Sequence, residues 1–207
     1  MFEELENFKR LLEEKEKKRE ELIKKCRELR ILSTKAINAV HKGKMEKAAD
    51  FLNKAKKMLN EIYEYRNSYP EFYFTLTHNS MQEYAEAYAF FSLINDKRIE
   101  INEIKVEVPA LLCGLADFVG ELRRYVLDLL RKEKIDEAEK YTEVIEQVYH
   151  ELVQFDFPER MLPGFRHKLD MVRAVMEKTK ADLLTTKAAL KLKFSSLKYR
   201  KMSGNNL

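Results

Sequence analysis

The sequence predicts an all-α fold, a bundle of about six or seven helices, and three observations lead to it. Apolar residues recur at three- and four-residue spacing over long stretches. Only 5 Gly and 4 Pro punctuate 207 residues, too few for the turns of a β-sandwich or barrel. The chain is 36% charged and 45% hydrophobic. That excludes collagen-like and low-complexity chains and supplies a core that needs no disulfide or structural zinc.

The elements follow in order. Phe2 to His41 holds no Gly or Pro and places Leu5, Phe8, Leu12, Leu22, Leu29 and Val40 at helical spacing, so one long helix is expected to end near Gly43. Met45 to about Asn67 continues the pattern through Leu52, Leu59 and Ile62, and Pro70 breaks it. A third helix is expected after Phe72-Tyr73-Phe74, running through Met81 to Leu93. Residues 96–108 read as a polar, β-branched connection with room for one helical turn. Pro109 suits the first turn of the next helix, where its missing N–H is not needed, and that helix runs to about Lys132. Another spans Asp136 to Phe155. Pro158 and Pro163-Gly164 frame a loop, and a last helix runs from about Phe165 to Lys201. No solenoid-type repeat is present. The expectation is one helical domain over residues 1–207, with 188–207 as a basic helix end or tail.

Cys26 and Cys113 form no CxxC pair and give no zinc signature, which fits a reducing compartment. The acidic start, Phe2-Glu3-Glu4-Leu5-Glu6, is not a signal peptide, and no apolar stretch is long enough to span a bilayer. A soluble, cytoplasmic protein with no membrane partner is expected. The net charge of +4 is too small to identify a nucleic-acid partner. Its distribution says more: beyond Asp182 no acid follows, while Lys187, Lys191, Lys193, Lys198, Arg200 and Lys201 do. This end is either a phosphate-facing surface or a solvated tail.

Two helices do not read as plain core. In the third, Glu83, Glu86, Phe90 and Ile94 share one face at 100° per residue. Two carboxylates on an apolar stripe need cations, protons or water, because burying them unpaired costs several kcal/mol each. In the helix after Pro109, the large apolar residues cover most of the cylinder. The remaining stripe is Ala110, Cys113, Gly114, Asp117, Gly120, Glu121 and Arg124. Mid-helix glycine costs roughly 1 kcal/mol relative to alanine, so two beside the acids imply a close approach by another helix, a hydrated metal or a substrate. Hard oxygen donors on two helices suit Mg2+ or Mn2+. A ferritin-like di-iron site needs Glu-x-x-His, and none of the four histidines has an acid three residues before it. The competing reading is structural, with these acids paired to Arg123, Arg124 or other helices.

Gln82-Glu83-Tyr84-Ala85-Glu86-Ala87, followed by Gly114-Leu115-Ala116-Asp117-Phe118-Val119-Gly120-Glu121-Leu122, resembles the translin superfamily. The likeness is greatest to its catalytic-subunit branch, translin-associated factor X, and covers about Lys24 to Lys187. The resemblance implies an all-α bundle assembled into an octameric barrel that holds RNA, and a Mg2+-dependent endoribonuclease acting on single-stranded RNA or short duplex fragments. Single-stranded DNA is a further partner class. It implies that Glu83, Glu86, Asp117 and Glu121 are the catalytic and metal-binding acids, and that this chain assembles with copies of itself. It also points to RNA contacts from the first helix and from the segment before the Gln-Glu motif. Here those are Lys24, Lys25, Arg27, Arg30, Lys35, His78 and Asn79, each of which would otherwise be ordinary helix surface.

The mechanism expected is metal-assisted phosphodiester hydrolysis that leaves a 5′-phosphate and a 3′-hydroxyl. Arg124 would steady a phosphate or pair with Glu121. Phe72, Tyr73, Phe74 and Tyr84 are either base-stacking platforms or core. Two rival classes remain: a non-catalytic single-stranded nucleic-acid-binding oligomer of translin type, and a helical scaffold whose long first and last helices serve self-assembly.

Overall fold

The computed structural model describes residues 2–95 and 97–203, without the side chains of 194 and 197–203. Among the described residues the chain is all helical, with six long α-helices, one four-residue helix and no strand. They are α1 (Phe2–His41), α2 (Met45–Tyr63), α3 (Tyr65–Ser68), α4 (Pro70–Ile94), α5 (Val108–Arg131), α6 (Ile135–Leu152) and α7 (Phe165–Ser203); a 3-10 turn, Ile101–Glu103, lies in the α4–α5 connection. Among the described residues no helix is long and apolar enough to cross a membrane.

The chain divides into two compact units. The first is Met1–Phe118 with Pro158–Phe165, and the second is Val119–Phe157 with Arg166–Leu207. In the first unit α1 packs on α2 and α4, around Leu22, Leu29, Leu59, Ile62, Tyr73, Met81, Tyr84, Phe90 and Phe118, all fully buried. Each such side chain contributes about 1.5–3 kcal/mol by leaving water. Thr77 and Ser80 are buried in the middle of α4 without penalty, because their hydroxyls donate to the Tyr73 and Thr77 carbonyls at 2.8 and 2.9 Å.

The start of α4 differs from expectation. The helical stretch before Pro70 does stop, at Ser68, but Pro70 itself opens the next helix, ahead of the expected start after Phe74, since a proline at the first helical position loses no hydrogen bond. Tyr69, the residue before it, is pushed out of the helical region to φ −141°. Phe72, Tyr73 and Phe74 are therefore the first turn of α4. Tyr73 and Tyr84 are core residues, not stacking platforms, while the Phe74 ring is half exposed.

α5 runs in the same direction as α4. Pro109 lines a surface cavity with Thr77 and His78, Gly114 lies against Gln82 to Glu86, and Phe118 meets Phe90 at 6.5 Å between ring centroids. A parallel pair needs a return path. Residues 95–107 supply it, spanning up to ~43 Å when extended against the ~26 Å of helix between Thr77 and Ile94. Arg66 ties the end of this return, its Nε 2.9 Å from Glu107 Oε1.

In the second unit, Val119, Leu122, Val126, Ala138 and Ile145 are fully buried. Arg123 donates to Thr179 Oγ1 at 2.9 Å and to Asp182 Oδ2 at 2.7 Å. The basic end of α7 is partly neutralised here: Lys187 pairs with Glu139, and Lys193 with Glu133 at 2.8 Å. Side chains of Lys198, Arg200 and Lys201 lie outside the described residues.

Candidate functional site

Gly114 is where α5 touches α4. A Cβ at this position would lie 2.5 Å from the Gln82 carbonyl oxygen, 2.7 Å from the Ala85 Cβ and 3.2 Å from the Glu86 nitrogen. Only a hydrogen fits. The close approach expected of the small-residue stripe is thus made by another helix, with Ala110 and Cys113 buried beside it. Gly120 is different. It is exposed and a Cβ there would meet nothing within 4 Å.

This contact sets the acids. Gln82 lies next to Gly114, and Asp117 is three residues further along α5. Gln82 Nε2 donates a short hydrogen bond to Asp117 Oδ2, which fixes that carboxylate. Glu83 and Glu86 lie three residues apart on one face of α4, and both are half-buried, as is Asp117. Partial access to water lowers the cost of keeping these carboxylates charged. Glu121, one turn beyond Asp117 on α5, has Arg124 Nη1 3.7 Å from its Oε2, while Arg124 itself is largely exposed. Arg123, the other cation considered for the acids, is engaged by Thr179 and Asp182.

Among the described residues no three or more His, Cys, Asp or Glu side chains are arranged to hold a metal ion together. What α4 and α5 offer is a donor set made of oxygen alone. That chemistry fits an ion which keeps several waters and takes one or two carboxylates plus substrate phosphates, the habit of Mg2+.

Two surface cavities flank the N-terminal half of α4. One, of about 300 Å³, is lined by Arg27 and Arg30 of α1 and by Leu76, Asn79 and Ser80 of α4. It unites three residues that the resemblance assigns to RNA contact. Lys24 is exposed on the same helix but does not line it. The other, of about 490 Å³, holds His78 with Phe74, Glu107, Pro109 and Arg160 among others. Arg160 was not legible as a site residue, since nothing in a Pro-bounded loop shows which helix it will meet. Gln82 carried a weak signal, its place beside Glu83 in the motif.

The translin family model matches residues 17–182. This chain belongs to the translin family. All four acids lie in the matched region, as do all the residues expected at RNA. An uncharacterized protein of Methanocaldococcus jannaschii is 33% identical over 192 residues, covering 88% of this chain and 82% of the relative. Two solved structures carry the likeness further. AfC3PO in a duplex RNA complex is 43% identical with a TM-score of 0.84, and the crystal structure of AfC3PO is 44% identical with the same TM-score; each comparison covers 89% of this chain and 97% of the other. The apo-NeC3PO crystal structure, 23% identical with a TM-score of 0.80 over 88% of this chain and 96% of that one, is a likeness of fold alone. The translin fold expected from the paired motif is the fold observed.

Proposed function

We propose that this translin-family chain is a Mg2+-dependent endoribonuclease of the catalytic-subunit type. It cuts single-stranded RNA or short duplex fragments inside a homo-oligomeric, octameric barrel. The observation that carries the reading is the α4–α5 contact at Gly114, which sets Asp117, held by Gln82, against the helix bearing Glu83 and Glu86. Similarity to AfC3PO, solved with duplex RNA, supports RNA as the ligand. Mn2+ is an alternative ion on the same donor chemistry.

Glu83, Glu86 and Asp117 would hold the ion, with Glu121 the next acid along α5. When bound, Mg2+ supplies positive charge that neutralises phosphate oxygens and acidifies nearby water. The chain's own residues do the rest. Gln82 keeps one Asp117 oxygen in a fixed orientation. A glutamate not occupied by the ion accepts a proton. Arg27, Arg30, Asn79 and His78, in the cavities flanking α4, take phosphate oxygens, so affinity falls as salt rises through counterion release. Lys24 and Arg124 add exposed charge.

The test is cleavage of a 5′-labelled single-stranded RNA with Mg2+, Mn2+ or EDTA. Glu86→Gln and Asp117→Asn are expected to lose cleavage by about 100-fold or more while retaining RNA binding. Products are expected to carry a 5′-phosphate and a 3′-hydroxyl; a 2′,3′-cyclic phosphate would overturn hydrolysis by water. One observation favours a second reading. Asp117 is already engaged by Gln82, as a purely RNA-binding translin-type oligomer would have it. Binding without cleavage by clean wild type under any divalent ion would select that reading.

A further inference from the structure

α1 is longer than the body it packs on. Every residue from 2 to 14 is exposed, and the buried positions begin at Leu22. The bundle's edge is marked by Lys15, whose Nζ is 2.7 Å from Glu71 in the first turn of α4. Beyond that edge α1 extends by ~20 Å. The matched family region begins at residue 17, so this segment precedes it.

The extension is not generic solvent helix. Leu22, Cys26, Leu29, Ser33, Ala36 and Val40 alternate spacings of four and three and are all buried. Followed backwards without a break, the same register runs through Arg19 and Lys15 to Leu12, Phe8 and Leu5. The last three are large, apolar and exposed. A seam covered within the chain over its C-terminal part is therefore open over its N-terminal part, with Leu11 at its margin. Such a heptad seam fits another helix of the same periodicity.

Charge fixes which helix and which direction. Residues 2–8 carry Glu3, Glu4 and Glu6 with no base, whereas residues 15–19 carry Lys15, Lys17, Lys18 and Arg19 with Glu16 as the only acid. Parallel self-pairing sets acid on acid and base on base. Antiparallel self-pairing sets the acidic end of each copy on the basic end of the other. The heptad positions agree: with Phe8 opposite the second copy's Leu12, the reverse contact forms by symmetry, Leu5 packs on the stem of the second copy's Lys15, Leu11 meets its own counterpart near the two-fold axis, and Glu4 faces the second copy's Lys18.

We infer that residues 2–19 of α1 form an antiparallel self-association element that joins two copies of this chain through Leu5, Phe8, Leu11 and Leu12. The contact is short, well under the ~1,200 Å² typical of a stable independent dimer. It rests on the homo-oligomeric part of the reading above and adds a contact to that assembly.

Mass by light scattering and cross-linking of the full chain with a short bismaleimide test it together. The native thiols, Cys26 and Cys113, are buried, so new surface cysteines report alone. Leu11→Cys is expected to link into covalent dimers. Leu5→Cys is not, since antiparallel pairing separates it from its counterpart by ~15 Å along the axis. Phe8→Glu with Leu12→Glu is expected to abolish the Leu11→Cys link and lower the mass. These positions are exposed, so an unchanged circular-dichroism spectrum excludes unfolding as the cause. Self-linking through Leu5→Cys in place of Leu11→Cys would overturn the antiparallel arrangement. An oligomeric wild type with no link, and with a mass indifferent to the double substitution, would overturn this contact and leave the assembly reading standing. A monomeric wild type would overturn both.

Discussion

Gly114 and Gly120 lie less than two turns apart on α5, and their surroundings dictate opposite responses to the same substitution. At Gly114 an added methyl meets the Gln82 backbone carbonyl at 2.5 Å, which cannot swing away as a flexible side chain would. Gly114→Ala is expected to destabilise by about 1–3 kcal/mol through overpacking, more than the roughly 1 kcal/mol of helix propensity it gains. Gly120→Ala meets nothing and is expected to stabilise by about 0.5–1 kcal/mol. Urea midpoints of the two variants read the contrast directly. Gln82 donates to Asp117 at the same contact, which under the proposed nuclease function makes it a positioning residue. Gln82→Ala is expected to lower cleavage by about 10–100-fold and to raise the Mg2+ concentration at half-maximal rate, with RNA affinity unchanged. A rate and metal dependence like wild type would remove its role. The Cys26 thiol is pushed up by burial and Cys113 is buried as well, so burial is expected to make both cysteines resist a disulfide reagent until the chain unfolds.

Two of the connections between helices are built alike. After α1, the Gly43 N–H donates to Val40 O at 2.8 Å and the Lys44 N–H to Ala39 O at 2.9 Å; after α5, the Glu133 N–H donates to Leu130 O and the Lys134 N–H to Leu129 O, both at 3.0 Å. Each is a left-handed helix cap, which favours glycine at its turning residue. The first turn has it, Gly43 at φ 67°; the second places Glu133 at φ 57°, where a Cβ is strained. Glu133→Gly is expected to stabilise the protein by about 1 kcal/mol, less the small contribution of the exposed pair with Lys193. A thermal midpoint unchanged or lowered would show that the ion pair outweighs the strain. At this same scale the breakers Gly43 and Pro163-Gly164 gave true helix ends. Pro70 did so too, since the stretch before it stops at Ser68, but it also opens α4, because proline starts helices as readily as it stops them and spacing alone cannot choose.

Charge pairing is spread over the molecule and is mostly exposed. The Glu16, Glu21, Glu71 and Glu146 carboxyls are all held below the ordinary carboxylate range, in each case first by a hydrogen bond from a cation: Arg19, Lys18, Lys15 and Lys180. Groups lowered in this way contribute stability that is complete above about pH 4.3 and is lost as the pH falls through their folded values. Exposure keeps each contribution small, but all act in one direction. Thermal midpoints are therefore expected to decline steadily from pH 5 to about pH 3, with a shallower decline in high salt. A midpoint flat over that range would show that the pairs contribute nothing.

The sequence by itself determined the helical class, the helix ends at Gly43 and near Lys132, and the faces that carry Glu83 with Glu86 and Asp117 with Glu121. These are local properties, written in 3.6-residue spacing and in backbone breakers. It also placed the chain in its family, because the paired motif couples two helices that spacing alone treats separately. Tertiary structure decided which glycine is a contact and which is open, that Gln82 holds Asp117, that Tyr73 and Tyr84 are core while Phe74 is surface, and that Arg160 joins His78 in one cavity. Each depends on what a second helix or loop brings within a few ångströms. No spacing along one helix encodes that, since it is fixed only when α5 docks on α4.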